Sequence, residues 1–321
     1  MAKKIIILLF CSSFLLIFSG CCTNCLIARS ELAGQKDLEQ SNPKSTEIWA
    51  GDIDSTITAE YGGNVKSYTV GGVSPIIQMP GHFNSDLLMS CDTGRQLGIR
   101  DVQSYNSDKK AIVRIISSLN NPLLKLEKTY RMNFDSGDLY ISKDIINISD
   151  SDIIVEAVQK ISFAKGGFLL MPVSVVSQYP NAYKVSDTSS GGDITDEASG
   201  NTLRIDNKLI CHIDLNSEFS ISSDSTEGWF GYFYKDTLLL VKYSPFYTNA
   251  EKKGAVVFKA DVNKDSIIVS FGETARSLPG KDSKLRLYEK MAIIKLRNEI
   301  KNFADVQEAL KYLKVQLIVM R

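Results

Sequence analysis

Four stretches of this sequence carry side chains able to do chemistry. His82 stands in Pro80-Gly81-His82-Phe83-Asn84 and is one of only two histidines in the chain. An imidazole in a loop is the side chain best matched to acid–base work near neutral pH. Asp92 and Arg95 flank Gly94 in Ser90-Cys91-Asp92-Thr93-Gly94-Arg95-Gln96-Leu97. The carboxylate accepts and the guanidinium donates, so the two can grip neighbouring hydroxyls or a uronate carboxylate, or pair with each other across a turn. Glu273, in Phe271-Gly272-Glu273-Thr274-Ala275-Arg276, ends a strand beside Arg276 and is either a site carboxylate or half of a surface ion pair. The last stretch is aromatic: Trp229, Phe230, Tyr232 and Tyr234, followed by Tyr243, Phe246 and Tyr247. Strand alternation sends Phe230, Tyr232 and Tyr234 to one face, where core packing is expected, and Trp229 to the other. Trp229 and Tyr247 are the aromatic pair free to stack on a ligand. The second histidine, His212, takes the opposite face from Cys211 in the alternating run Leu209 to Leu215.

The elements that must position these groups are strands. The run from Leu123 to Met171 is the clearest: Leu124, Leu126 and Lys128 alternate with Lys125, Glu127 and Thr129, the period of a half-buried strand. Asp135-Ser136-Gly137 turns the chain, a second alternating run covers Leu139 to Ile148, Ser149 to Asp152 turns it again, and Ile153 to Phe163 runs back. That order predicts a three-stranded antiparallel meander. Short strands follow at Thr202–Ile205, Leu209–Ile213, Phe219–Ser222, Trp229–Tyr234, Thr237–Tyr243, Ala255–Ala260, Ser266–Phe271 and Lys284–Leu296. Met79 to Tyr105 alternates poorly and reads as loop. Only the end is helical, with Val306, Ala309, Leu310, Leu313 and Leu317 at helix spacing and Asn302 with Asp305 as a capping pair. No strand–helix–strand alternation and no fixed repeat is visible. The expectation is an all-β domain of two large antiparallel sheets packed face to face, with a short C-terminal helix.

The N-terminus predicts an address. Lys3-Lys4 precedes an apolar run from Ile5 to Phe18, then Ser19-Gly20-Cys21. This is the pattern of a secretory signal peptide over 1–20. Small residues before Cys21 resemble a bacterial lipobox, which implies lipidation of Cys21, membrane lipid as a partner, and a place in the bacterial envelope at the outer membrane. Residues 21–46 are polar and read as a flexible tether, leaving 47–321 as the folded domain. Lys and Arg total 37, as do Asp and Glu, so no excess positive charge invites a nucleic acid. Cys91 and Cys211 lie far apart in the body; two lone cysteines in an exported domain could pair, and the reading preferred is two buried thiols. The acids Asp187, Asp193, Asp196 and Glu197 lack calcium-loop spacing, and no phosphate loop or metal-ligand cluster is visible, so neither cofactor nor metal is expected.

Several elements together carry a resemblance. They are Tyr61-Gly62-Gly63-Asn64-Val65, the central strand running into Asn147-Ile148-Ser149, Gly166-Gly167-Phe168-Leu169-Leu170-Met171-Pro172, and Ser277-Leu278-Pro279-Gly280 before the last long strand. Their succession over Ile53 to Leu296 resembles the galactose-mutarotase-like supersandwich, the superfamily of aldose epimerases and of carbohydrate-binding domains in glycosidases and lyases. The resemblance implies a sugar-facing sheet, with Asp92, Arg95, Trp229 and Tyr247 as ligand-binding residues and His82 and Glu273 as catalytic candidates. His82 stands where the family has a His-x-Tyr-Phe-Asn element, with altered spacing, and the family's usual Glu motif is missing. The reading is therefore a carbohydrate-binding lipoprotein rather than an enzyme. The alternatives are an epimerase, glycoside hydrolase or lyase on the same fold, or an envelope structural protein.

Overall fold

The computed structural model describes residues 33–38, 45–59, 63–77, 86–89, 98–107, 109–120, 123–186, 201–243 and 258–319. Three sheets carry the fold. A four-stranded sheet runs β1 (Ala33–Leu38), β2 (Ser45–Ala50), β3 (Ile53–Thr58), β4 (Asn64–Val70). A six-stranded sheet has the order β12 (Lys184–Ser186), β15 (Phe219–Ser223), β18 (Phe258–Val262), β19 (Ile267–Leu278), β10 (Ile153–Phe163), β5 (Asp86–Met89). The ten-stranded sheet begins β13 (Thr202–Ile205), β14 (Lys208–Ile213), β11 (Gly167–Pro172), β16 (Trp229–Tyr234), β17 (Thr237–Tyr243). It continues β20 (Lys284–Lys295), β9 (Leu139–Asn147), β8 (Leu123–Asn133), β7 (Lys110–Asn120), β6 (Gly98–Ser107). Neighbours pair antiparallel throughout. One helix, α1 (Phe303–Val319), follows the last strand.

Alternation in the long strands decides which face of the large sheet is interior. On β8, Leu124, Leu126, Lys128, Tyr130 and Met132 are buried; on β9, Leu139, Ile141, Lys143, Ile145 and Asn147 are. These side chains share one hydrophobic core with Ile48, Val65 and Tyr68 of the four-stranded sheet and Val155, Ile161 and Val269 of the six-stranded sheet. The two smaller sheets thus form the second layer over the inner face of the large one. Polar contacts bind the layers. The Tyr68 hydroxyl donates to the Gly137 carbonyl at 2.7 Å, and burial pushes its pKa up. Lys128 Nζ donates to the Gly63 carbonyl at 2.7 Å. Lys143 Nζ reaches Gln159 Oε1 on β10 at 2.5 Å and Glu289 Oε2 on β20 at 2.9 Å, with both charged side chains fully buried.

Three sequence expectations need correction. The ordered sheet begins at Ala33, inside the span 21–46 read as tether, because β1 pairs along its whole length with β2. An edge strand needs no apolar alternation to hold its backbone ladder, so its polar composition hides it. The predicted meander breaks after β9: that strand pairs with β8 and β20, while β10 crosses to the six-stranded sheet. Asn147 builds the corner. Its Nδ2 donates to the carbonyls of Ser151 (2.7 Å) and Leu278 (2.9 Å), and its Oδ1 accepts from the Ser149 amide at 2.9 Å. Met79 to Tyr105 contains β5 and all but the last two residues of the ten-residue β6. An edge position and a register shift between Ile99 and Asp101 erase the alternation there.

The helix starts where the capping pair indicates. Asn302 Oδ1 accepts from the Asp305 amide at 3.1 Å, and Asp305 Oδ2 accepts from the Asn302 amide at 3.2 Å. Val306, Leu310 and Leu313 then pack on Phe168, Leu170, Ile210, Phe233, Leu238 and Leu240, so α1 covers one half of the large sheet's outer face. Among the described residues no helix is long and apolar enough to cross a membrane.

Two outcomes follow for stability. Asn302→Ala removes a helix cap and is expected to lower unfolding free energy by about 1 kcal/mol in urea titration. Glu289→Ala leaves the Lys143 ammonium without its carboxylate and should cost about 3–5 kcal/mol, whereas the double replacement Lys143→Met, Glu289→Leu should cost much less. Additive losses in that cycle would show the pair to be uncoupled.

Candidate functional site

The inner face of the large sheet is filled by core, and α1 covers one end of its outer face, so among the described residues the open ground is the outer face of β6 to β9, β20 and the end of β17. Directly opposed residues of antiparallel strands project to the same side. Following the register from strand to strand gives one transverse row: Trp229 opposes Lys242, Lys242 opposes Lys290, Lys290 opposes Tyr140, and Tyr140 opposes Arg131. All five stand out of phase with the core positions of their strands, and none is buried. At about 4.8 Å per strand the row spans roughly 19 Å.

The row is an aromatic–cation strip. The Arg131 guanidinium carbon lies 5.1 Å from the Tyr140 ring centroid and Lys290 Nζ 5.5 Å from it, both within cation–π range. Lys290 also pairs with Asp138 at 3.0 Å. Burial lowers the Lys242 pKa, and the charge of Lys290 opposite lowers it further. Tyr288 stands one row over, opposing Ser142, and is 49 % exposed. Tyr140 already carries two cations, whereas Tyr288, whose side chain is hydrogen-bonded to Arg286, has the more exposed ring. A depression of about 390 Å³ lies over this ground, with Arg131, Tyr140, Lys242, Tyr288 and Lys290 in its lining. Glu289 also lines it, but its carboxylate is held by Lys143. Hydroxyls of Thr129 and Ser142 complete a surface of donors around an open ring, able to hold a polyhydroxylated ligand. A larger groove of about 500 Å³ runs between the end of β20 and α1, where Arg297 lies 5.8 Å from the Tyr312 ring centroid and Asp305 and Glu308 balance the nearby bases. It is a seam of helix packing with mixed charge.

The structure distributes the sequence candidates unevenly. His82, Asp92, Arg95, Tyr247 and Cys21 lie outside the described residues, as do Cys91 and the acids Asp187 to Glu197. Glu273 falls on β19 in the six-stranded sheet. Trp229 opens β16 and stands at the end of the strip; its Nε1 donates to Glu227 Oε2 at 2.8 Å, and its ring packs partly against the α1 cluster. Phe230 and Tyr232 are core. His212 stacks on Phe168 at 4.6 Å between centroids and meets Phe303 edge-on, a packing role under the helix. Cys211 is buried and forms no disulfide among the described residues. Among the described residues no group of three His, Cys, Asp or Glu could hold a metal ion. Arg131, Tyr140, Lys242, Tyr288 and Lys290 went unnoticed in the sequence. Their signal is cations and aromatics at outward positions of strands whose outward residues need only be polar.

Comparisons with solved structures place the architecture. A candidate aldose 1-epimerase from Klebsiella pneumoniae superposes with a TM-score of 0.53 at 11% identity, over 82% of this chain and 83% of that one. A galactose mutarotase-like protein from Clostridium acetobutylicum gives 0.50 at 10%, over 82% and 98%. The fold is a galactose-mutarotase-like supersandwich. A TPR-domain containing protein from Parabacteroides distasonis gives 0.55 at 10%, over 78% of this chain and 46% of that one, so the same architecture also occurs inside a longer chain. No protein-family model and no curated protein matches the sequence. At identity this low the superposition shows the fold alone and leaves function to the residues on it.

Arg131→Ala and Tyr288→Ala remove exposed side chains and should each change unfolding free energy by no more than about 0.5 kcal/mol. Loss of cooperative melting in either would show the strip to be structural.

Proposed function

We propose that this protein binds carbohydrate on the open half of the large sheet's outer face, held at the outer membrane of a bacterial envelope by lipid on Cys21. The observation that carries the reading is the strip itself: a half-exposed tyrosine ring, hydroxyls and cationic side chains converge over one depression. Sugar rings lay their C–H faces on aromatic rings while their hydroxyls take hydrogen bonds from polar neighbours, and a face of this composition meets both needs. The fold supports the reading as context. The carboxylate in the lining is engaged with Lys143, which favours binding over acid–base turnover at this place.

The test is a panel of neutral and charged oligosaccharides titrated against the full-length chain in detergent. At least one should bind, and Tyr288→Ala should weaken it by about tenfold, the upper range of an aromatic contact. No binding by any member, or binding indifferent to Tyr288, would set the reading aside. Faster interconversion of sugar anomers with the protein present would turn it towards an epimerase. Anchoring has its own check: Cys21→Ala should move the protein from the membrane fraction to the soluble one, and unchanged partitioning would refute the lipid anchor.

A further inference from the structure

The larger groove, beside α1, keeps an apolar floor that the helix leaves uncovered among the described residues. The link from β20 to α1 is pinned to the turn between β16 and β17. The Leu296 amide donates to the Asp236 carbonyl at 2.7 Å, and the Ile300 amide to the Lys235 carbonyl at 2.8 Å. Val306 and Leu310 then bury themselves against the sheet, while Ile294, Leu296, Ile300 and Ala309 are only partly buried beside them. Those four side chains and Leu313 line a groove of about 500 Å³. Sites for organic ligands run from roughly 300 to 1,000 Å³. Tyr312 stands at the rim, 70 % exposed. The four charged side chains of the lining divide into two kinds. Lys295 is held by Asp236 at 2.5 Å, and Asp305 Oδ2 accepts from the Lys301 and Asn302 amides at 2.8 and 3.2 Å. Arg297 and Glu308 make no ion pair among the described residues. The Arg297 guanidinium carbon lies 5.8 Å from the Tyr312 ring centroid. Glu308 stands four residues before Tyr312, on the same face of α1. Two opposite charges thus sit along one apolar groove without joining each other.

We propose that this groove binds a short apolar peptide with free termini. The peptide's carboxylate takes the Arg297 fork, its ammonium lies on Glu308, and its aliphatic side chains rest on the floor. A guanidinium holds a planar carboxylate through two parallel hydrogen bonds, which suits a chain terminus. Asn298, also in the lining, offers an amide donor and an acceptor to the peptide backbone. Burial of the aliphatic side chains supplies most of the attraction but no direction; the two end charges fix which way the peptide lies. A fatty acid would answer Arg297 and leave Glu308 beside an apolar body. A sugar would lay hydroxyls on an aliphatic floor that offers them no partners. The groove shares no lining residue with the strip, so this proposal stands apart from the carbohydrate reading.

The test is calorimetry of trileucine on the full-length chain in phospholipid nanodiscs, where no detergent competes for the apolar floor. Trileucine should bind. Acetyl-trileucine lacks the ammonium and trileucine amide lacks the carboxylate; each should bind about tenfold more weakly, as expected for hydrogen bonds to a charged partner. Triserine, with no aliphatic surface to bury, should also bind at least about tenfold more weakly. Arg297→Gln should lower trileucine affinity about tenfold and leave trileucine amide unchanged. Glu308→Gln should lower it likewise and leave acetyl-trileucine unchanged. Failure of trileucine to bind would overturn the proposal, as would equal affinity for its blocked forms or for triserine. Parent affinity in both Gln variants, with melting curves intact, would place the peptide elsewhere and overturn it too. Leucine binding as tightly as trileucine would reassign the groove to a free amino acid, and octanoate binding more tightly would reassign it to a fatty acid; either result would overturn the peptide. Tyr288→Ala should leave trileucine affinity unchanged, and a loss there would put the peptide on the strip and overturn the assignment to this groove.

Discussion

Two lysines buried side by side between the sheets constrain the rest of this structure. Lys128 and Lys143 are directly opposed on β8 and β9, and neither side chain reaches solvent. Isolated ammonium groups cannot be placed in a core without partners. Each therefore reaches across to a different sheet of the second layer: Lys128 to the Gly63 carbonyl at the start of β4, Lys143 to Gln159 on β10. Glu289, brought by β20, supplies the countercharge. The same pair of side chains thus ties the four-stranded and six-stranded sheets to the large one, and requires β20 to pair beside β9. Hydrophobic burial provides most of the stabilisation, but it is non-directional. Buried polar contacts of this kind select one arrangement of the layers over alternatives with the same apolar area.

The consequence reaches the outer surface. With β20 locked between β9 and β17, the outward residues of all three strands fall into register, and Tyr140, Lys290 and Lys242 line up although β9 and β20 are far apart in the chain. The sandwich also divides labour between faces. The inner face is occupied by core, and α1 closes the outer face over β11, β14 and β16. Among the described residues the remaining outer ground is made of long strands and left uncovered. Trp229 stands at the border, with its ring partly under the helix cluster and its Nε1 fixed by Glu227, so it bounds the strip rather than moving over it.

Strand identity was legible because alternation is local. Ile153–Phe163, Thr202–Ile205, Trp229–Tyr234 and Thr237–Tyr243 are bounded as the pattern and turn residues indicate. The phase of Lys128 with Leu124 and Leu126 even marks it as interior. What alternation cannot carry is partnership. Nothing in β9 says that β20 lies beside it, and nothing in β10 says that it leaves the sheet of β8 and β9; the Asn147 corner does that through four side-chain hydrogen bonds. Edge strands such as β1 and β6 are held by backbone pairing and leave little side-chain signature. The strip was missed for the same reason as the partnership: it exists only across strands, one residue from each. The motif-like stretches around His82 and Asp92 drew attention because their residues are adjacent in sequence, a property a site on a sheet does not need.

The central claim is that the ligand surface is the row Arg131, Tyr140, Lys290, Lys242, with Tyr288 beside it. A crystal structure of the protein soaked with an oligosaccharide that binds it in solution tests this most directly. The account predicts sugar density against the Tyr288 ring, in the depression lined by Arg131, Tyr140 and Lys290. Density in the groove beside α1, or against Asp92 and Arg95 with the strip empty, would contradict it.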